Sequence, residues 1–195
     1  MQIPEANGVP KFIFLIIILT LAGMFTYATY FDNKQVEKVR SEQSINDFYS
    51  AYFNKDYETV ANNLSVFWIS RFLPEYATLT PEELIANREE LVAEAADVIA
   101  SIEEDNYLAA TLGVDVLSEY TKNSEYSSLV VYEILEDGAI VGMEVAILIE
   151  ELGQPRIFDF SQIQSYELQQ ILEIDLEELD ETFEELLDPA SSVNE

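Results

Sequence analysis

The chain of 195 residues contains no cysteine and no histidine. Without cysteine, disulfides, thiolate nucleophiles and thiolate metal sites are excluded. Without histidine, the commonest general base near neutral pH is gone, and with it the Ser-His and Cys-His nucleophile systems and imidazole ligation of zinc or iron. Basic residues are scarce: nine Lys and Arg stand against 38 Asp and Glu, for a formal net charge of −29. Residues 1–40 carry Lys11, Lys34, Lys38 and Arg40 against Glu5, Asp32 and Glu37, a net +1, which leaves −30 on residues 41–195. Binding to phosphate backbones needs clustered cations, so a nucleic-acid partner is excluded. A protein partner would be basic, unless the acidic surface only confers solubility. The six glycines are scattered and no Gly-Lys-Ser/Thr occurs, so there is no phosphate-cradling loop. The acidic C-terminus lacks the spacing of a calcium loop. No catalytic, cofactor-binding or metal-ligating residue is assigned, and no cofactor is expected.

What the chain does have is one long apolar run. From Phe12 to Phe31, FIFLIIILTLAGMFTYATYF holds twenty residues without a charge, enough helix to span about 30 Å of hydrocarbon. The expectation is a single-pass transmembrane helix over 12–31, behind a short N-terminal segment 1–11 and acting as a signal anchor, with Tyr27, Tyr30 and Phe31 near one interface. The competing reading is a cleaved secretory signal, with Thr26 and Ala28 as the small residues a peptidase inspects. Leu21-Ala22-Gly23-Met24 is similar to a lipoprotein box without its cysteine, which leaves the helix itself as the anchor. The basic residues on either side favour a cytoplasmic domain by a narrow count, whereas large C-terminal domains behind one N-terminal span are commonly exported. The expected localisation is the cell membrane, with the domain on the outer face.

Residues 32–43 read as a solvated stalk. Ile45, Phe48, Tyr49, Tyr52 and Phe53 then recur at the spacing of one helical face. Asn54-Lys55 makes a turn, Asp56 is an N-cap, and Val60, Ala61 and Leu64 mark a second short helix. SVFWISRFL, residues 65–73, is apolar almost throughout and fits either a buried strand or a helix. Thr80-Pro81-Glu82-Glu83 is a capping box that opens a helix reaching about residue 104. The period then changes to two, predicting strands near 108–117, 125–136, 139–150 and 156–161, with Asp137-Gly138 closing a hairpin. On the third strand Val141, Met143, Val145, Ile147 and Ile149 share one face, while Asp115 and Glu144 are expected to face solvent. The predicted fold class is α+β: three helices packed on a curved antiparallel sheet of about four strands over 44–162, then an acidic amphipathic helix or a disordered tail over 163–195.

The stretch FYSAYFNKDYETVANNLS, from Phe48 to Ser65, and the order of elements after it resemble the nuclear-transport-factor-two-like superfamily, which includes ketosteroid isomerases and polyketide-cyclase-like proteins. That resemblance implies a cone open at one end to a small apolar molecule, and bacterial members often sit behind a membrane anchor. It does not imply catalysis. Dehydratase-type members use a His-Asp pair, which this chain cannot supply. Isomerase-type members use a carboxylate with a tyrosine, and no acid or tyrosine here aligns with those roles. Trp68, Tyr107, Tyr126 and Tyr132 are the candidates for lining a pocket, against the plainer reading of core and sheet packing. The leading expectation is a membrane-tethered, non-catalytic domain for protein interaction or small-ligand binding. Its alternatives are an isomerase- or cyclase-type enzyme using a carboxylate–tyrosine pair, and a scaffold that presents the acidic helix.

Overall fold

A computed structural model describes residues 35–106 and 111–188. The chain divides into two compact units, Met1–Glu37 and Lys38–Glu195, and an antiparallel sheet lies wholly within the second. Among the described residues no helix is long and apolar enough to cross a membrane. This corrects the expected fold class, and the membrane, single-pass and signal-anchor assignments go with it. The run bounded by Phe12 and Phe31, on which those assignments rested, lies outside the described residues.

Helix α1 is described over residues 35–53, so the segment expected as a stalk is helical from residue 35. Its packed face is polar, which apolar periodicity does not register. Ser41 is fully buried and its hydroxyl donates to Asn123 Oδ1 at 2.7 Å, while Arg40 pairs with Glu150 at 2.9 Å. Further on, Ile45, Phe48 and Tyr49 are buried as their spacing predicts. The Asn54-Lys55 turn places Lys55 at φ 58°. Asp56 then accepts from Thr59 N at 3.2 Å to start α2, Tyr57–Asn63.

The ambiguous apolar segment becomes α3, Val66–Ile69, followed by a 3-10 turn at Pro74–Tyr76. Thr80 and Glu83 form the capping box in both directions, opening α4, Pro81–Ala86. The expected single long helix is broken at Asn87 (φ −97°, ψ 15°), after which α5 runs Arg88–Ile102. The Asn87 side chain donates to Glu83 O at 2.7 Å, offering the backbone a local alternative to continuous helix.

Among the described residues five strands form the sheet: β1, Leu112–Val116; β2, Lys122–Asn123; β3, Ser127–Glu136; β4, Ala139–Glu151; and β5, Gln154–Gln162. The order is β1-β3-β4-β5, with β2 also pairing β3. Asp137 and Gly138 both have positive φ, 53° and 77°, as a two-residue hairpin loop requires. Leu152 and Gly153 repeat that geometry at 53° and 72° in the loop between β4 and β5.

Both faces of the sheet are covered. Val130 and Tyr132 of β3 join the main core with α1–α5, whereas their neighbours Leu129 and Val131 join a second cluster with Ile163, Ile171 and Leu176. That second layer is the C-terminal segment through α6, Leu168–Glu173, after which α7, Glu177–Leu187, buries Phe183 in the main core. Met143 and Val145 of β4 face the second layer, while Ala146 and Leu148 face the main core. A bulge beside Ile147/Leu148 interrupts strict alternation, and Leu148 and Ile149 are both buried in succession.

The tail is fixed by more than apolar contact. Asp180 accepts from Glu125 N at 3.0 Å, Tyr126 N at 3.2 Å and Ser127 Oγ at 2.5 Å. Lys122 Nζ donates to the carbonyls of Leu172 and Ile174, both at 2.5 Å, where the C-terminal end of α6 attracts a cation. Phe183 is 1% exposed, with its ring 4.8 Å from that of Phe158.

Candidate functional site

A cavity of about 390 Å³ opens between the N-terminal helices and the sheet. It lies at the lower end of the range for small-molecule pockets. α1 supplies Phe48, Tyr49 and Tyr52, placed together because Tyr52 follows Tyr49 by three residues and Phe48 by four. α3 contributes Trp68 and β5 contributes Phe160, and aliphatic side chains of α2, α5 and β3 complete the wall. Glu103, just past the end of α5, is the one carboxylate on that wall among the described residues. Two larger grooves, of about 610 and 820 Å³, have amide, hydroxyl and charged linings. They lack the contiguous apolar wall that drives uptake of small molecules.

The aromatic wall is a connected set of rings. Phe48 and Tyr52 are parallel at 6.4 Å between centroids, and Phe160 lies 6.3 Å from Phe48 and 6.0 Å from Trp68. Trp68 also meets Phe72 at 4.4 Å. Such separations suit offset or tilted aromatic contacts.

Beside the pocket stands a buried polar cluster. The hydroxyls of Tyr49 and Tyr132 donate to the same Glu144 oxygen at 2.7 and 2.8 Å. Burial pushes both phenols well above the ordinary tyrosine range, and the adjacent Glu144 carboxylate pushes the same way. Each proton is therefore held on its tyrosine and directed at Glu144. Glu144 was expected to face solvent, whereas it is the acceptor of this cluster. Asp115 is exposed, in line with its alternation.

At the rim, Asn106 Nδ2 donates to Glu103 Oε2 at 2.6 Å. The Tyr52 phenol is pushed up to about 12, first by burial and then by the Glu103 charge.

A second buried charge sits apart from the pocket. Glu151 is 1% exposed and pairs directly with Arg88. The Glu151 carboxylate also accepts from Ser65 Oγ at 2.9 Å and from Val66 N at 3.1 Å. Arg88 further donates to the carbonyls of Asn62 and Leu64 at 2.7 and 3.3 Å, closing the C-terminal end of α2 against the β4–β5 hairpin. These contacts are those of a structural tie.

Of the four residues suggested by sequence, Trp68 lines the pocket. Tyr132 stands one hydrogen bond behind its wall through Tyr49, the two oxygens being 3.2 Å apart. Tyr126 belongs to the seam with α7 instead, and Tyr107 lies outside the described residues. Phe48, Tyr49 and Tyr52 were legible as a buried helical face but not as a pocket wall. Glu103 and Glu144 carried no sequence signal of their own.

No family model, curated protein or solved structure matches the chain. Among the described residues no cluster of acidic side chains could hold a metal ion.

Proposed function

We propose that this domain binds a small, largely apolar molecule in the aromatic pocket and carries out no chemistry on it. The observation that carries this reading is the wall itself: among the described residues, five aromatic side chains and a set of aliphatic ones surround about 390 Å³, with Glu103 as the only carboxylate. Helices before a curved antiparallel sheet, with a cavity between them, are also what the nuclear-transport-factor-two-like resemblance leads one to expect. That kinship is part of the proposal.

The alternative is proton transfer by a carboxylate–tyrosine pair, and Glu144 with Tyr49 is such a pair. Its arrangement argues against that role. An isomerase-type site needs a hydroxyl that donates to the substrate oxygen, and here both hydroxyls already donate to Glu144. The cluster instead fixes the wall behind the ligand.

Trp68 is the only tryptophan in the chain and lines the pocket, so its emission reports occupancy directly. Titration with toluene, a neutral aromatic probe transparent at the red edge of tryptophan absorption, should give a saturable change in Trp68 emission excited there. An emission spectrum that stays unchanged up to the solubility limit of toluene would reject the reading.

A further inference from the structure

The pocket is not uniformly apolar, and its one charge is informative. Phe48, Tyr52, Phe160 and Trp68 form a run of rings with neighbouring centroids 6.0–6.4 Å apart. Aromatic faces carry negative potential and attract a cation within about 6 Å of the ring centre, the basis on which cages of such rings take quaternary ammonium groups. A neutral hydrocarbon would have no use for a carboxylate in its binding wall, whose partial burial has a desolvation cost.

Glu103 is held in place by Asn106, which donates to Oε2 at 2.6 Å. None of the three ion pairs among the described residues includes it. The nearby Lys55 ammonium is directed at the Asn106 carbonyl, at 3.0 Å, and not at Glu103. The wider field acts in the same direction, because a chain of net charge −29 concentrates cations near its surface and repels anionic amphiphiles.

We propose that the ligand is a small organic cation, an ammonium bearing methyl or aryl groups, whose apolar part lies among the four rings and whose charge is countered by Glu103. This rests on the aromatic pocket being a binding site, and the test separates the two. Benzyltrimethylammonium and neopentylbenzene have the same shape and differ in one atom, a charged nitrogen against a neutral carbon. Each is titrated into the full chain, with Trp68 emission as readout, and into the Glu103→Gln variant, which keeps an oxygen to accept from Asn106.

The cation should bind the parent about 5- to 30-fold more tightly than its neutral isostere. Glu103→Gln should lower that preference severalfold, leaving the share due to the rings, while neopentylbenzene affinity stays unchanged. Equal affinity of the two compounds for the parent would overturn the cation assignment and leave the apolar pocket standing. A preference that survives Glu103→Gln undiminished would also overturn it, since attraction to the general surface charge does not depend on one residue. If neither compound perturbs Trp68, both readings fail together.

Discussion

The hydroxyls of Tyr49 on α1 and Tyr132 on β3 lie 3.2 Å apart and converge on one oxygen of Glu144. Helix and sheet are joined at that point through two buried phenols and a carboxylate. Removing one donor should cost what a hydrogen bond to a charged group is worth. Tyr132→Phe is expected to lower stability by roughly 1.5–3 kcal/mol, read from the urea midpoint at neutral pH. A loss below about 0.5 kcal/mol, the scale of ordinary surface substitutions, would show that Glu144 needs only Tyr49.

The same cluster sets an alkaline limit. Free tyrosine ionises near pH 10, and the folded phenols of Tyr49 and Tyr132 are held above that value. Below about pH 10 both folded and unfolded chains keep these protons, and the stabilisation is fully present. Above it the unfolded chain releases them while the folded chain does not, so stability falls as pH rises. Each such tyrosine adds about 1.4 kcal/mol per pH unit to that decline. Urea midpoints measured from about pH 9 to about pH 11 should fall less steeply for Tyr132→Phe than for the parent; parallel curves would contradict the assignment.

Arg88 and Glu151 offer a different test, because a buried pair is costly to break and not always costly to replace. Glu151→Gln leaves the Arg88 guanidinium without its carboxylate and should cost about 3–5 kcal/mol. Arg88→Met in the same background should cost much less than it does in the parent. A double-mutant cycle in urea measures the difference, and strictly additive losses would mean that the two side chains act independently.

Local signals in the sequence survived where their cause was local. Thr80 and Glu83 cap a helix start, and Asp137-Gly138 turns a hairpin, because both are decided within four residues. The aromatic stripe of α1 was legible for the same reason. What periodicity does not carry is which distant surface meets a given face. Glu144 is 95 residues from Tyr49, and a polar residue between apolar neighbours on a strand looks solvent-facing unless the partner is known. Glu151 is hidden likewise, its salt bridge made 63 residues away. The two-sided burial of the sheet depends on the C-terminal segment folding back, and composition there says only that it is acidic. An aromatic ring alone makes Trp68 and Tyr126 equal candidates for pocket lining, yet Trp68 lines the cavity and Tyr126 packs at the tail.

That tail should behave as part of the fold. Phe183 is 1% exposed, and Phe183→Ala should cost about 3–5 kcal/mol by the usual cavity penalty. Asp180→Ala removes an acceptor from two backbone N–H groups and the Ser127 hydroxyl, with an expected loss of roughly 1–3 kcal/mol. Hydrogen exchange in α7 should quicken in both variants. Exchange in α7 as fast as in an unfolded peptide, already in the parent, would show that the helix is not docked.

The pocket can be closed without touching its charge or its reporter. Ile99 is a half-buried wall residue on α5, one turn before Glu103, and a phenylalanine there would project added volume toward the cavity. Because space already exists on that side, Ile99→Phe should escape most of the 1–3 kcal/mol penalty typical of overpacking a filled core. The urea midpoint should therefore stay near the parent value while the affinity for neopentylbenzene drops by about tenfold or more, a loss of about 1.4 kcal/mol in binding. Parallel loss of stability and binding would point to general disruption. Unchanged binding in a stable variant would place the Trp68 response outside this cavity.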